Sequence, residues 1–452
     1  MTAIGRMTAW LERRFEPIDN AGLVVFRALF GFILFVETAG AIGTGWVTRA
    51  FVEPVVRFPM IGFEWIPPPP GAGVYVYFGT MAAFAALIMI GFAFRAATIG
   101  FLVLWCGAYV MQTAHYNNHY YLIALLCLLL ATTPAANDCS VRVRRHPSLR
   151  ATTCPRWCRD IFVWQIAILY LFAAYAKLSP DWLSARPLEI WLGHMAGTRT
   201  LGAIYAEPWL PLLIAWGGLA FDALVVPLLA WRRTRWVAFS AAIVFHLFNS
   251  ITFRVGVFPY LGVALCIFFF SPEGIRARIL DPTRGTAGLA PLPTATGRRV
   301  GVAAFACYFA LQLGLPLRHH LYPGSVDWHE EGYRMSWRMM LRAKSGRVVF
   351  RVRNPVTGTT WRVEPKHELT EHQAARIAGR PDMIWLFAQH LRDDFARSGE
   401  SSVEVYADAL VSLNGSPRAL LIDPSVDLAS TPWSLVRYNR FITPFPEPPA
   451  ER

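Results

Sequence analysis

Few residues able to do acid–base chemistry lie within the apolar parts of this 452-residue sequence. They are Arg27, Glu37, Lys177, Asp222 and His246, together with the polar run His115-Tyr116-Asn117-Asn118-His119. An ionisable group in hydrocarbon costs about 3 kcal/mol or more unless it faces a cavity or a partner, so each is a functional candidate. Lys177 stands apart. Of 43 basic residues only three are lysine (Lys177, Lys344 and Lys366), which leaves 40 arginines, and Lys177 is the only lysine before residue 344. Arginine keeps its proton in a protein, whereas an amine in apolar surroundings can give one up near neutrality and serve as a base. The stretch YLFAAYAKLS (170–179) supplies such surroundings, which favours a base over a lysine that snorkels from a helix end.

The other groups have plainer readings beside the chemical one. Glu37 can reach the interface or pair with a polar group on a neighbouring helix. Arg27, almost three turns away from it, is expected to snorkel toward the opposite surface. Asp222 fits a helix–helix hydrogen bond as well as a catalytic role. His115 and His119 have helical ligand spacing, but a membrane diiron or zinc site needs several such clusters, so no metal is expected. Asn117, Tyr121, Tyr175, His246, Asn249, Phe253 and Phe258 are candidates to surround a flat, lipid-soluble ring.

What must position these groups is a set of membrane helices. Hydrophobic residues make up 54% of the chain, charged residues 16%, and mean hydropathy is +0.35, which argues against a disordered or fibrous chain and against a cytosolic enzyme. Apolar runs near 21–44, 74–94, 97–114, 119–134, 160–178, 209–231, 236–253, 255–271 and 299–317 predict about nine spans. The first is too long for a cleaved signal peptide. With the N-terminus in the cytosol, the inner loops hold 18 arginines and the outer loops five (Arg49, Arg57, Arg186, Arg199 and Arg254). This follows the positive-inside rule. The formal charge of +13 is therefore largely a topology signal, and no nucleic-acid partner is expected. Apart from Arg27 near the inner end and Asp222 nearer mid-membrane, the chemical candidates then gather at one depth, just below the outer surface.

The chain divides into a transmembrane catalytic domain (1–320) and an extracytoplasmic α+β domain (321–452). In the latter, RVVFRVRN (347–354) and TTWRVEP (359–365) flank Pro355–Gly358 as a hairpin. Residues 369–397 have helical periodicity broken near Gly379 and Pro381, and a second hairpin turns at Asn414-Gly415. All seven cysteines precede this domain, so it has no disulfide. The spacing of Cys139, Cys154 and Cys158 matches no standard zinc pattern.

Several motifs resemble the vitamin K-dependent γ-glutamyl carboxylase family. They are YNNHYYL (116–122), AAYAKLSPDW (173–182), FHLFNS (245–250) with GVF (256–258), WHEEGYRMSWRMM (328–340), VSLN (411–414) and IDPSVD (422–427), in the family's order. The resemblance implies a membrane enzyme that uses reduced vitamin K, O2 and CO2. Lys177 would deprotonate the hydroquinone, and Asn118 and His119 would lie near the quinone oxygens. The oxygenated quinone would remove a glutamate γ-proton, the carbanion would capture CO2, and the quinone would leave as its 2,3-epoxide. The chain resembles short, bacterial-type members, which points to menaquinol rather than phylloquinol and to a bacterial cell membrane. The expected partners are the bilayer, its quinone, and a glutamate-containing peptide or protein at the outer face. Two other functions compete with this one: a quinol epoxidase that carboxylates no protein, and a non-catalytic transporter or binding protein on the same fold.

Overall fold

The computed structural model describes residues 3–197, 202–253, 255–280, 294–400 and 402–446. Arg199, Arg254 and Arg284, which entered the charge count, lie outside the described residues, as does the tail after residue 446. A first helix α1 (Ala3–Arg13) is followed by α2 (Ala21–Gly43), α3 (Gly73–Ile90), α4 (Phe94–Met111), α5 (Asn118–Ala131) and α6 (Trp157–Ala176). Then come α7 (Arg186–Ala196), α8 (Leu210–Ala230), α9 (Arg235–Phe253), α10 (Phe258–Leu265), α11 (Pro272–Ile279) and α12 (Ala295–Leu317).

Among the described residues seven helices (α2, α3, α4, α6, α8, α9 and α12) are long and apolar enough to cross a membrane, two fewer than expected. Both differences have a local cause. Helix α5 has 14 residues, or about 21 Å at 1.5 Å per residue, short of a hydrocarbon layer of roughly 30 Å. The run at 255–271 is broken. Helix α10 runs into a 3-10 turn, and α11 leaves it bent by 114°; counted as one span, the pair raises the total to eight. The break falls where Ser271 accepts a hydrogen bond from the Gly274 amide and Pro272 opens a new first turn.

Helices α2 and α3 approach closely because Gly31 has no side chain: a Cβ there would lie 2.4 Å from the Met89 backbone nitrogen. Beside this contact Arg27 departs from its expected course. It is 2% exposed and donates to the carbonyls of Ile88 (3.0 Å), Met89 (2.6 Å) and Cys139 (2.9 Å). The orphan carbonyls at the C-terminus of α3 attract a cation more strongly than the distant interface does. On the same side of the helices, strands β1 (Pro17–Asp19) and β2 (Thr153–Pro155) pair antiparallel. Arg276 bridges Asp19 (2.5 Å) and Asp138 (2.8 Å) there.

The C-terminal part forms an antiparallel sheet in the order β4-β3-β5-β6, with β3 (Lys344–Arg353), β4 (Thr360–Val363), β5 (Glu404–Leu413) and β6 (Ala419–Leu420). Both hairpins form as the sequence predicts, and the helical stretch breaks into α13 (Glu371–Ile377) and α14 (Pro381–Arg397). A capping box between Thr370 and Gln373 starts α13. Helix α14 lays Met383, Phe387 and Leu391 onto Phe350, Val405 and Ala407 of the sheet, making a second hydrophobic core separate from that of the long helices.

The two parts are joined by residues 326–342. Trp337 is fully buried in the helical core, its ring 5.1 Å from that of Tyr121. Asn118 donates to the Arg338 carbonyl (2.9 Å), and the Met335 amide donates to the Tyr116 hydroxyl (3.1 Å). Glu330, Met335, Trp337 and Met340 all adopt positive φ (58–64°). Such left-handed conformations cost non-glycine residues about 1–2 kcal/mol each and persist where the surroundings impose them.

Candidate active site

Lys177 caps the C-terminus of α6, and its amide donates to the Ala174 carbonyl at 3.0 Å. Its Nζ lies 2.5 Å from Asp222 Oδ2 on α8, both side chains being less than a tenth exposed. The ammonium also sits 5.1 Å from the centre of the Trp182 ring, whose indole nitrogen is tied to the Ala215 carbonyl at 2.9 Å. The apolar stretch around Lys177 therefore does not leave it alone. A carboxylate contributed from another helix balances it, and Asp222 makes a helix–helix hydrogen bond whose partner is Lys177.

The pair opens on a mainly apolar cavity of about 80 Å³. Its walls include His119, Tyr170, Phe245, His246, Asn249, Phe253, Phe258, Met339 and Met340. His246, 1% exposed, shares a hydrogen bond with the Tyr170 hydroxyl through Nε2 (3.2 Å), while its Nδ1 has no partner among the described residues. The ring has room because residue 262 is glycine: a Cβ there would lie 2.4 Å from His246 Nε2. His119 stacks on Phe258 at 4.0 Å between ring centres. Asn249 donates to the Phe245 carbonyl at 3.0 Å. Ile214, Gly218, Phe245 and Asn249 also line an apolar groove of about 650 Å³ between α8 and α9, which lies beside the cavity.

A second cavity, of about 350 Å³, lies between the helices and the α+β part. It shares His119, Met339 and Met340 with the first, so these three residues form the partition between them. Asn117 and Asn118 line it along with Arg334, Arg338, Arg342, Arg376 and Arg380. Arg334 pairs with Asp382 (2.5 Å), Arg338 with Asp327 (2.6 Å), and Arg342 with Glu330. Lys344 joins Glu330 at 3.0 Å. Burial lowers Lys344 to about 8 against the opposing pull of Glu330. Arg376 donates to the Ala114 carbonyl (2.8 Å), and neither it nor Arg380 pairs with a carboxylate among the described residues. The rings of His115 and His372 stack at 4.2 Å. Burial, followed by the neighbouring cations, lowers His372 to about 4, which leaves it neutral at pH 7.

Family models cover both parts of the chain. The HTTM domain model matches residues 15–273, more than half of the chain, and the model of the vitamin K-dependent gamma-carboxylase lumenal domain matches 297–448. The chain belongs to the vitamin K-dependent γ-carboxylase family. No solved structure matches it.

Within this carboxylase-family chain the structure sorts the residues singled out by sequence. Lys177, His119, His246, Asn249, Phe253 and Phe258 line one cavity. Asn117 and Asn118 belong to the neighbouring polar one, where Asn117 accepts from the Tyr120 amide as the N-cap of α5. Tyr121 and Tyr175 line neither. Tyr121 bonds Gln312 (3.0 Å) beside Trp337, and Tyr175, 43% exposed, bonds His320 (3.0 Å). Tyrosines one or two positions from a site residue on a helix point to different sides of it. Sequence reasoning did not single out Tyr170, Trp182, Gly262, the Met339–Met340 partition, or Arg376 and Arg380. The arginines had no signal, because nothing local distinguishes them from the other 38.

Proposed function

We propose that this protein is a γ-glutamyl carboxylase-like enzyme that oxidises a reduced membrane naphthoquinone to its 2,3-epoxide and couples this to carboxylation of a glutamyl side chain. The observation that carries the reading is the Lys177–Asp222 pair, set in an aromatic cavity that shares a wall with an arginine-lined one. The lining of the first cavity has the chemistry of a quinol site: apolar aromatic walls, a cation at one end, a buried imidazole nitrogen without a partner among the described residues, and a neighbouring apolar groove for an isoprenoid tail. Bound there, a reduced vitamin K or menaquinol supplies, with O2, the oxidative energy that makes a glutamate γ-proton removable.

The remaining work falls to side chains. Lys177 acts from the neutral form of the pair, in which the shared proton rests on Asp222 Oδ2: its free amine takes the hydroxyl proton of the quinol, and Asp222 keeps the resulting ammonium in place beside the quinolate. His246 Nδ1 and the Asn249 amide hold the ring oxygens. Phe245, Phe253 and Phe258 pack on the ring and exclude the water that would quench a strong base. Met339 and Met340 separate quinol from peptide, while His119 and Asn118 stand at the passage between them. Arg376 and Arg380 attract the glutamyl carboxylate, and CO2 adds on the polar side of the partition. The arginine bias of the loops supports an N-terminus in the cytoplasm and an extracytoplasmic α+β domain.

The test uses the full chain in lipid nanodiscs with reduced vitamin K, labelled bicarbonate and a glutamate-containing peptide. Epoxide and peptide label should both appear and both be lost in Lys177→Ala. Epoxide formation indifferent to that substitution sinks the assignment of the base. Epoxide without label in the peptide reduces the activity to quinol epoxidation, and the absence of both, with no quinone binding, leaves a non-catalytic binding protein.

A further inference from the structure

The polar cavity carries more positive charge than one substrate carboxylate can balance. Three of its five arginines are matched within the protein by Asp382, Asp327 and Glu330. Lys344 also draws on Glu330, whose charge reaches Arg376 and Arg380 only from beyond ion-pair distance. That leaves Arg376 and Arg380, one on α13 and one just before α14, both facing the same 350 Å³ space without a carboxylate partner among the described residues. They are only partly exposed, and the neighbouring histidines bring no negative charge. Burial, and then the proximity of Arg380 and Arg342, lowers Arg376 to about 10, the mark of cations held together at a cost that an anion would relieve. Guanidinium groups also match carboxylates in a planar, two-bond geometry.

We propose that this cavity is a dicarboxylate site, in which Arg376 and Arg380 each take one arm of a malonate-type group and so hold the carboxylated product more tightly than the monocarboxylate substrate. The inference rests on the carboxylase reading, because CO2 addition to a glutamyl γ-carbon turns a single carboxylate into a geminal pair. Charge matching then favours the product by one full ion pair. The site would pull the reaction toward carboxylation and restrain product release.

The test measures binding by tryptophan fluorescence on the intact protein in nanodiscs, without quinol, using malonate, propionate and sulfate as probes. Malonate is expected to bind at least tenfold more tightly than propionate or sulfate. Arg376→Gln and Arg380→Gln should each weaken malonate tenfold or more and abolish the preference. Arg380→Lys, which keeps the charge, should retain it and so controls for misfolding. Equal affinity for malonate and propionate overturns the proposal, as does a preference that survives both glutamine substitutions. Sulfate matching malonate overturns it too, since that describes a site reading charge alone. Turnover of the same preparation, with reduced quinone, labelled bicarbonate and a glutamate-containing peptide added, separates the two readings: epoxide and peptide label without a malonate preference refute this inference and leave the carboxylase one standing.

Discussion

Lys177 can be stripped of its chemistry without being stripped of its charge, and the two losses leave different signatures. At 2.5 Å from Asp222, opposite charges attract by about 7 kcal/mol at an effective dielectric of ~20. After desolvation, breaking such a buried pair by removing one partner costs roughly 3–5 kcal/mol. Lys177→Met should therefore strand the Asp222 carboxylate and lower Tm by on the order of 10 °C. Lys177→Arg keeps the cation. Its larger head adds an overpacking cost of about 1–3 kcal/mol, softened because residue 218 is glycine: a Cβ there would already lie 3.9 Å from Lys177 Cε. The arginine variant should thus be the more stable of the two. In turnover the order collapses, since neither side chain can accept the quinol proton, and both should lose about 10²–10⁴-fold in epoxide formation. The assay pairs thermal unfolding at a fixed scan rate with epoxide quantified by mass spectrometry. Lys177→Arg retaining more than a tenth of the rate would refute proton transfer by this residue. Lys177→Met as stable as the parent would refute the buried pair.

Three further outcomes follow from the same geometry. Gly262→Ala drives a Cβ to 2.4 Å from His246 Nε2, so the ring must shift and leave Tyr170; the KM for reduced quinone should rise about tenfold, and a change confined to the peptide KM would contradict the placement of His246. Gly217 lines the apolar groove, and a Cβ there meets nothing within 4 Å, so Gly217→Phe should fold normally yet raise the KM for long-tailed menaquinol and leave tailless menadiol unaffected; equal effects on both would remove the groove as the tail's path. At Glu330, burial alone would raise the carboxyl, but the charges of Arg342 and Lys344 more than offset it and hold the group well below the usual carboxylate range. A depressed carboxylate stabilises the fold above its unfolded value of about 4.3 and loses that contribution as pH falls below it. The parent's Tm should therefore drop from about pH 5 to pH 3 more steeply than that of Glu330→Gln, which starts lower; parallel curves would show that Glu330 is not the linked group.

Much of this organisation was legible from local pattern. Long apolar runs, the two turns at Pro355–Gly358 and Asn414-Gly415, and the break before Pro381 are set by hydrophobicity and by backbone preferences acting over a few residues, so α2, α6, α8 and the β3–β4 hairpin lie where the sequence predicts them. Lys177 was visible for a comparable reason: one lysine in apolar sequence, among arginines, is a composition anomaly that needs no fold to be noticed. The shortness of α5 and the 114° break between α10 and α11 were less visible, because an apolar run does not record where its helix stops.

Only the tertiary structure decided how those groups are paired. Asp222, 45 residues away, meets Lys177 because α8 packs against α6; Arg27 turns inward because carbonyls of α3 and of Cys139 converge on it. Tyr121 and Tyr175 leave the site because helical rotation points them elsewhere. The wall between the two cavities comes from residues 339 and 340, more than 150 positions beyond the lysine, on a segment held at positive φ by its surroundings. Residue type and hydrophobic period are local properties and can be read along the chain. Ion pairing, burial and a shared cavity wall depend on distances between residues far apart in sequence, which packing alone determines.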